Sequence, residues 1–249
     1  MPAIVQATYC NTYSDFIAKF QGDLIELLKP VRGEKILDLG CGTGNLSREL
    51  LSRGVYVTSV DSTPSMVKAA IASGVDAILA DEATFESDKK FDAIVSNFAL
   101  HWIDDQFSFF KNANKLLRTG GRLAVECGGS GCVRIIREGL KLALQSRGLD
   151  YKSRNPWKFP GLDDTVAVLE SHGFRVQSIG RYNCPIDLSH GLRLWLEVFA
   201  ESHAEGMSAE EKNSFYEDVE EYCLPMLYDK KTQAWTADYV RLRFLATKE

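Results

Sequence analysis

A chain of 249 residues is long enough for one well-packed domain with an appended or inserted lobe, and length alone argues against several domains. Apolar residues make up 45% and charged residues 25%, the balance of a folded protein rather than a disordered one. The net charge of −5, with both signs interspersed, offers no basic face to nucleic acid, and no apolar run is long enough to span a bilayer.

Met1 to Tyr9 lacks the basic start and long apolar stretch of a secretory signal, so a cytoplasmic protein is expected, as monomer or homodimer, with a small molecule as its partner. An apolar series at helical spacing opens the chain, with Phe16, Phe20, Leu24, Leu27 and Leu28, and Pro30 and Gly33 end it. Lys35 to Cys41 reads as a buried strand entering a glycine-rich turn. Asn45 to Arg53 is a helix, Val55 to Asp61 a second strand, and Pro64 starts another helix that stops near Gly74. Val75 to Ala80 and Phe91 to Asn97 follow as strands. Gln106 to Leu117 is a helix with Phe107, Phe110, Ala113 and Leu117 on one face, and Arg122 to Cys127 is a fifth strand after Gly120 and Gly121. Strands with near-continuous apolar character, separated by helices, imply a parallel sheet covered on both faces, a doubly wound α/β fold.

Beyond Gly128 the alternation weakens. Cys132 to Arg147 looks helical, Tyr151 to Gly161 is a loop with proline and aromatics, and Leu162 to His172 is a helix. Phe174 to Tyr182 is a strand, Leu192 to Ser202 and Ser208 to Cys223 are helices, and Tyr239 to Thr247 alternates as a final strand. Cys10, Cys41, Cys127, Cys132, Cys184 and Cys223 are scattered without a C-x-x-C pair, and the histidines do not cluster. They read as reduced thiols, and no metal site is expected.

The turn after the first strand, I-L-D-L-G-C-G-T-G-N, lies where α/β sheets bind ligands, beyond the strands' carboxyl ends. Gly40, Gly42 and Gly44 permit tight backbone conformations, and Cys41 lies between them. The dinucleotide fingerprint G-x-G-x-x-G fails at Asn45, which speaks against a nicotinamide cofactor. Asp38 would repel a pyrophosphate but suits an ammonium-bearing ligand. Asp61, about 20 residues beyond Gly40 at the end of the second strand, suits a ribose diol, or caps the helix that follows together with Ser62. Asp81, with Glu82 and Ala83, suits an adenine amino group or a surface turn; Met66 suits the adenine face or helix packing. Asn97 and Phe98 open an aromatic loop with His101 and Trp102 that suits a sulfonium.

Together these residues resemble the class I S-adenosylmethionine-dependent methyltransferases. L-D-L-G-C-G-T-G is a form of their first motif, and V-D-S-T-P-S-M, A-D-E-A and F-D-A-I-V-S-N follow in order. Asn97 to Ile103, Asn155 to Gly161 and Leu169 to Val176 resemble the narrower trans-aconitate methyltransferase-like group. The resemblance implies a single domain over 1–249, with a mostly parallel seven-stranded Rossmann-like sheet and S-adenosylmethionine as cofactor. It further implies an N-terminal helical segment (1–33), a cofactor core (34–184), a helical lid (185–237) inserted before the last strand, and that strand (238–249). Relatives often carry a tryptophan before an N-terminal tyrosine; here Tyr9 and Tyr13 have none.

Methyl transfer is an in-line displacement in which alignment can supply ~7–11 kcal/mol. A carboxylate acceptor is already ionised and needs no base, whereas a phenol or amine benefits from one, for which His101 is the candidate against a packing role. Arg134, Arg154 and Arg181 are candidate anchors for an anionic acceptor, and Trp157 and Phe159 candidate pocket walls. O-methylation of a small carboxylic acid is the leading expectation, beside a phenol or amine acceptor and a non-catalytic cofactor-binding protein.

Overall fold

The computed structural model describes residues 22–249; Tyr9, Cys10, Tyr13, Phe16 and Phe20 lie outside them. Helix α1 (22–28) buries Leu24, Ile25 and Leu28. Strand β1 (Lys35–Leu39), helix α2 (Asn45–Ser52), β2 (Tyr56–Asp61), α3 (Pro64–Ala72) and β3 (Ala77–Leu79) follow in alternation. Then come β4 (Phe91–Asn97), a single 3-10 turn (Leu100–Trp102), α4 (Gln106–Leu116) and β5 (Leu117–Gly128). The remaining elements are α5 (Arg134–Gln145), α6 (Tyr151–Arg154), α7 (Leu162–Ser171), β6 (Phe174–Asn183), β7 (Ile186–Leu188), α8 (Gly191–Phe199), α9 (Ala209–Leu227), β8 (Tyr228–Asp229), β9 (Ala234–Ala237) and β10 (Val240–Lys248).

Seven strands form one sheet in the order β3-β2-β1-β4-β5-β10-β6. The pairs β1–β2, β1–β4, β2–β3 and β4–β5 are parallel. The strand order reverses between β1 and β4, the switch point at which such sheets open a crevice for ligands. Alternation along the strands sends Leu37, Leu39, Ile94, Leu123 and Val125 to one buried layer and Ile36, Ala93, Val95 and Ala124 to another. Both faces of the central strands are therefore dry, as their unbroken apolar sequence implied.

Several details depart from the sequence expectation, among them the short helix α6 inside the expected Tyr151 to Gly161 loop. Phe107 is 59% exposed, whereas Phe110, Ala113 and Leu117 are buried as expected and Phe109 and Leu116 join them in the core. Strand β5 begins at Leu117 rather than Arg122, because its pairing with β4 shifts register between Phe91 and Ala93 and so absorbs Gly120 and Gly121. A small antiparallel sheet, β7-β9-β8, occupies a stretch in which no strand was expected. Its strands of two to four residues are too short to carry a period.

The chain divides into two compact units. The first holds the described residues up to Ser130 together with Lys158–Arg181 and Leu242–Glu249; the second holds Gly131–Trp157 and Tyr182–Arg241. Within the second unit α5 and α9 approach closely at Gly139, where an added Cβ would lie 3.0 Å from the Tyr222 ring. Arg147, just past the end of α5, pairs with Asp218 of α9 at 2.7 Å. The segment 185–237 thus shares a core with α5, which lies within 34–184. Helix α9 starts at a capping box in which Ser208 accepts from the Glu211 N–H and Glu211 accepts from the Ser208 N–H. Among the described residues no helix is long and apolar enough to cross a membrane.

Candidate cofactor site

The site lies at the carboxyl ends of β1 to β4. The chain leaves β1 through Gly40 and Cys41, whose N–H groups both donate to the Val60 carbonyl at 2.8 and 3.0 Å. Gly40 has φ +79°, and a Cβ there would fall 2.1 Å from the Ala99 Cβ, so only glycine lets this turn lie against the loop after β4. Gly44 has φ +82° and lies as tightly on Val75, where a Cβ would be 2.8 Å from Cγ2.

Carboxylates converge on this turn. Asp61 Oδ2 accepts from the Gly42 N–H at 2.8 Å and Oδ1 from the Thr63 N–H at 2.9 Å. It latches the glycine turn and holds the N–H of Thr63, the N-cap of α3, which has no side-chain cap bond of its own. Glu82 is buried, and its Oε1 accepts from the Ser62 N–H at 3.0 Å and the Ser62 hydroxyl at 3.2 Å. Asp81 is exposed and accepts from the Ala83 and Thr84 N–H groups in a tight turn, its carboxylate lying beside the buried Ala83. Asp38 is 1% exposed, and its Oδ2 accepts from the Ser47 hydroxyl at 2.6 Å, which is 2.8 Å from the Ser59 hydroxyl.

Burial raises the Asp38 carboxyl to about 7 against the lowering effect of Ser47, and the Asp61 charge adds to the rise. Burial likewise raises Asp61 and Glu82, with Asp61 adding to the shift of Glu82. The Cys41 thiol is pushed up by burial and by the charges of Asp38, Asp61 and Glu82, so it is no nucleophile. Such mutual repulsion in a dry site is relieved by a cation and by hydroxyl donors. Two buried acceptors stand ready for them: Asp38 Oδ1 and Asn97 Oδ1 have no hydrogen-bond partner, and they end adjacent, parallel strands. These features fit a ligand with a positive charge, a sugar diol and an adenine amino group, and they disfavour a pyrophosphate. Met66 is half-buried on α3.

The loop after β4 turns sharply at Phe98, which holds φ +58°, a costly conformation for a bulky residue. Its N–H donates to the Glu126 carbonyl at 2.7 Å. His101 is 7% exposed; its Nδ1 accepts from the Gly128 N–H at 3.2 Å, which puts the ring proton on Nε2. The ring stacks on Phe159 at 5.4 Å, and burial lowers it to about 3, so the imidazole stays neutral. Trp102 beside it is 42% exposed.

The other residues singled out in the sequence lie elsewhere. Trp157 and Arg134 belong to the second unit, Trp157 buried against Trp195 and His203, Arg134 exposed at the start of α5. Arg154 donates to the His203 and Glu205 carbonyls, and Arg181 Nε donates to the Ser130 carbonyl. Tyr9 and Tyr13 are outside the described residues. Ser47 and Ser59 were not foreseen. The parallel register that sets Asp38 opposite Ser59 was the available signal for the second.

Comparison with known proteins gives the family and the fold. The family model of a methyltransferase domain matches residues 37–125. An uncharacterized methyltransferase of Schizosaccharomyces pombe is 33% identical over 250 residues, covering 95% of each chain. Malonyl-[acyl-carrier protein] O-methyltransferase 1 of Ilyobacter polytropus is 30% identical across 67% of this chain and 63% of that one. Trans-aconitate 2-methyltransferase of Mycobacterium ulcerans is 34% identical across 43% of this chain and 42% of its own. The chain thus spans nearly all of the first relative but less than two thirds of the other two. The solved structure of the YcgJ protein from Bacillus subtilis has the same fold, with a TM-score of 0.67 at 16% identity over 93% of this chain and 99% of that one.

Proposed function

The chain belongs to the class I S-adenosylmethionine-dependent methyltransferases, and from that premise we propose that it methylates a carboxylate oxygen of a small acid. The cofactor, when bound, supplies an electrophilic methyl group on a sulfonium. The chain's own residues bind, orient and keep out water. The glycine turn gives close backbone approach, Asp61 holds that turn and offers its remaining lone pairs to the ribose, and Asp38 is the acceptor for the ammonium. Asp81, Ala83 and Met66 suit the adenine, and Asn97 and Phe98 border the sulfonium.

The observation that carries the choice of acceptor is His101. A phenol or amine nucleophile gains from a base, and a useful base has a pKa near the working pH. His101 instead spends its Nδ1 lone pair on the Gly128 N–H and is held far below that range by burial. A carboxylate is ionised at neutral pH and needs only to be aligned. The printed activities of two relatives, an O-methyltransferase of a malonyl carrier and a trans-aconitate methyltransferase, support the same class. The test is the pH dependence of turnover with an acid acceptor. The expected kcat is flat from pH 6 to pH 9. A rise through neutrality that disappears in His101→Asn overturns the proposal.

A further inference from the structure

Three polar side chains stand in one row near the carboxyl ends of neighbouring strands. In the parallel register Asp38 of β1 lies beside Val95 of β4, and Asn97, two residues on, lies beside Glu126 of β5. Side chains alternate along a strand, so Asp38, Asn97 and Glu126 share the sheet face that α1 covers with Leu24, Ile25 and Leu28. Glu126 is 0% exposed, and its Oε2 accepts from Arg243 Nε of β10 at 2.6 Å. Arg243 Nη2 donates in turn to Asp23 Oδ2 of α1 at 2.6 Å. A chain of charges thus runs from Asp23, half-exposed on α1, to the dry end of β5.

A buried ion pair is a poor source of stability, because desolvation offsets most of its attraction, and an apolar pair of similar volume would hold the sheet as well. Its placement gives it another use. Glu126 is the third residue from the end of β5, and this end holds the loop after β4 at two points. The Glu126 carbonyl accepts from the Phe98 N–H at 2.7 Å, and the Gly128 N–H donates to His101 Nδ1 at 3.2 Å. Phe98 holds φ +58°, a conformation that persists where the surroundings dictate it. Strand ends open more readily than strand centres. The Glu126 carboxylate, tied through β10 to α1, keeps this one closed.

We propose that Glu126 is a positioning residue for methyl transfer: its ion pair with Arg243, anchored on Asp23 of α1, fixes the end of β5 and through it the Asn97 side chain and the Phe98 turn at the sulfonium. The inference rests on the reading that Asn97 and Phe98 border the sulfonium, and it is independent of the acceptor's class. The Glu126 carboxylate makes and breaks no bond in the reaction. It acts through Asn97 and Phe98, whose placement sets the direction in which the methyl group is presented, and an in-line transfer is sensitive to small displacements there.

The test is NMR of S-adenosylmethionine, isotope-labelled at its sulfonium methyl carbon, bound to the full chain. In the parent the methyl resonance should move away from its free position on binding. Glu126→Leu/Arg243→Met removes both charges of the pair together and leaves Asp23, which is 52% exposed, to water, so its melting temperature should stay near the parent's. It should nonetheless bind S-adenosylmethionine at least about tenfold more weakly, with the methyl resonance closer to its free position. Glu126→Gln keeps an acceptor for the Arg243 N–H and should restore affinity to within about threefold of the parent. Asp23→Ala, at the exposed end, should cost about two- to threefold and move the resonance in the same direction. The resonance decides, because a merely structural loss weakens binding without moving the methyl of the molecules that do bind. A resonance in the double variant unmoved from the parent's, at any affinity, overturns the proposal. If the double variant does not fold, an unmoved resonance in Asp23→Ala overturns it instead. A parent that binds no S-adenosylmethionine overturns the cofactor reading itself, an outcome distinct from failure of this inference.

Discussion

The glycine turn of the first unit and the His203 turn of the second treat buried polar groups in opposite ways. Around the glycine turn, Asp61 and Glu82 are held by N–H groups of their own neighbours, so the carboxylates are fixed in place before any ligand arrives. Around His203 the rings of Tyr151 and Trp157 pack against the imidazole, and the buried Ser202 hydroxyl has no hydrogen-bond partner. The difference separates carboxylates held in place by backbone N–H groups from buried side chains held by ring packing. Electrostatic preorganisation suits a ligand common to every turnover, because the groups that meet it need not reorganise when it binds.

The largest effect that breaks the cradle is expected from Gly40→Ala. Its Cβ would fall 2.1 Å from the Ala99 Cβ at a φ that disfavours any side chain, so S-adenosylhomocysteine affinity should drop about 100-fold by calorimetry. Adding Ala99→Gly should recover part of that loss, which ties the effect to this contact.

Asp61→Ala is expected to weaken S-adenosylhomocysteine binding by about tenfold or more, since it frees the Gly42 and Thr63 N–H groups as well as losing bonds to the ribose. Unchanged affinity in a folded variant would remove Asp61 from the cradle.

Asp38 sharpens the comparison through pH. Its folded carboxyl is raised to about 7 from 3.8, so the folded state binds its proton more tightly than the unfolded one. Its stabilising contribution is complete below pH 4 and is lost as pH rises through 7. The cofactor-free protein should therefore lose melting temperature between pH 5 and pH 8. Asp38→Asn should flatten that slope and melt higher than the parent at pH 8. An equal slope in both would place the titration elsewhere.

The smallest effect is expected from His101→Asn. Removal of a general base costs about 100- to 10,000-fold in kcat. A ring that only accepts from Gly128 and stacks on Phe159 should cost less than about tenfold, together with a modest fall in melting temperature.

The cradle was legible in the sequence because its parts are local. The run from Asp38 to Gly44 spans the end of β1 and one turn, Asp61 and Asn97 each end a strand, and Asp81 follows one. Once the β-α-β alternation is read, their convergence follows from topology. The His203 group was not legible. Its members come from Asn155, Trp157 and Ser202–His203, on two segments joined by ring packing and by Arg154 donating to the His203 and Glu205 carbonyls, and no period or motif links them. Trp157 stood out as an aromatic in a loop, but its partners did not. The failure at Phe107 is physical in the same sense. A helical stripe three and four residues apart fits either Phe107 or Phe109 beside Phe110, and the sheet beneath α4 chooses Phe109.

The most direct test of the account is transfer of an isotope-labelled methyl group from S-adenosylmethionine to a panel of small acids, phenols and amines, with products resolved by mass spectrometry. Label in a base-labile ester of an acid is the predicted result. Label on a phenol or amine, with no ester from any acid, would contradict it.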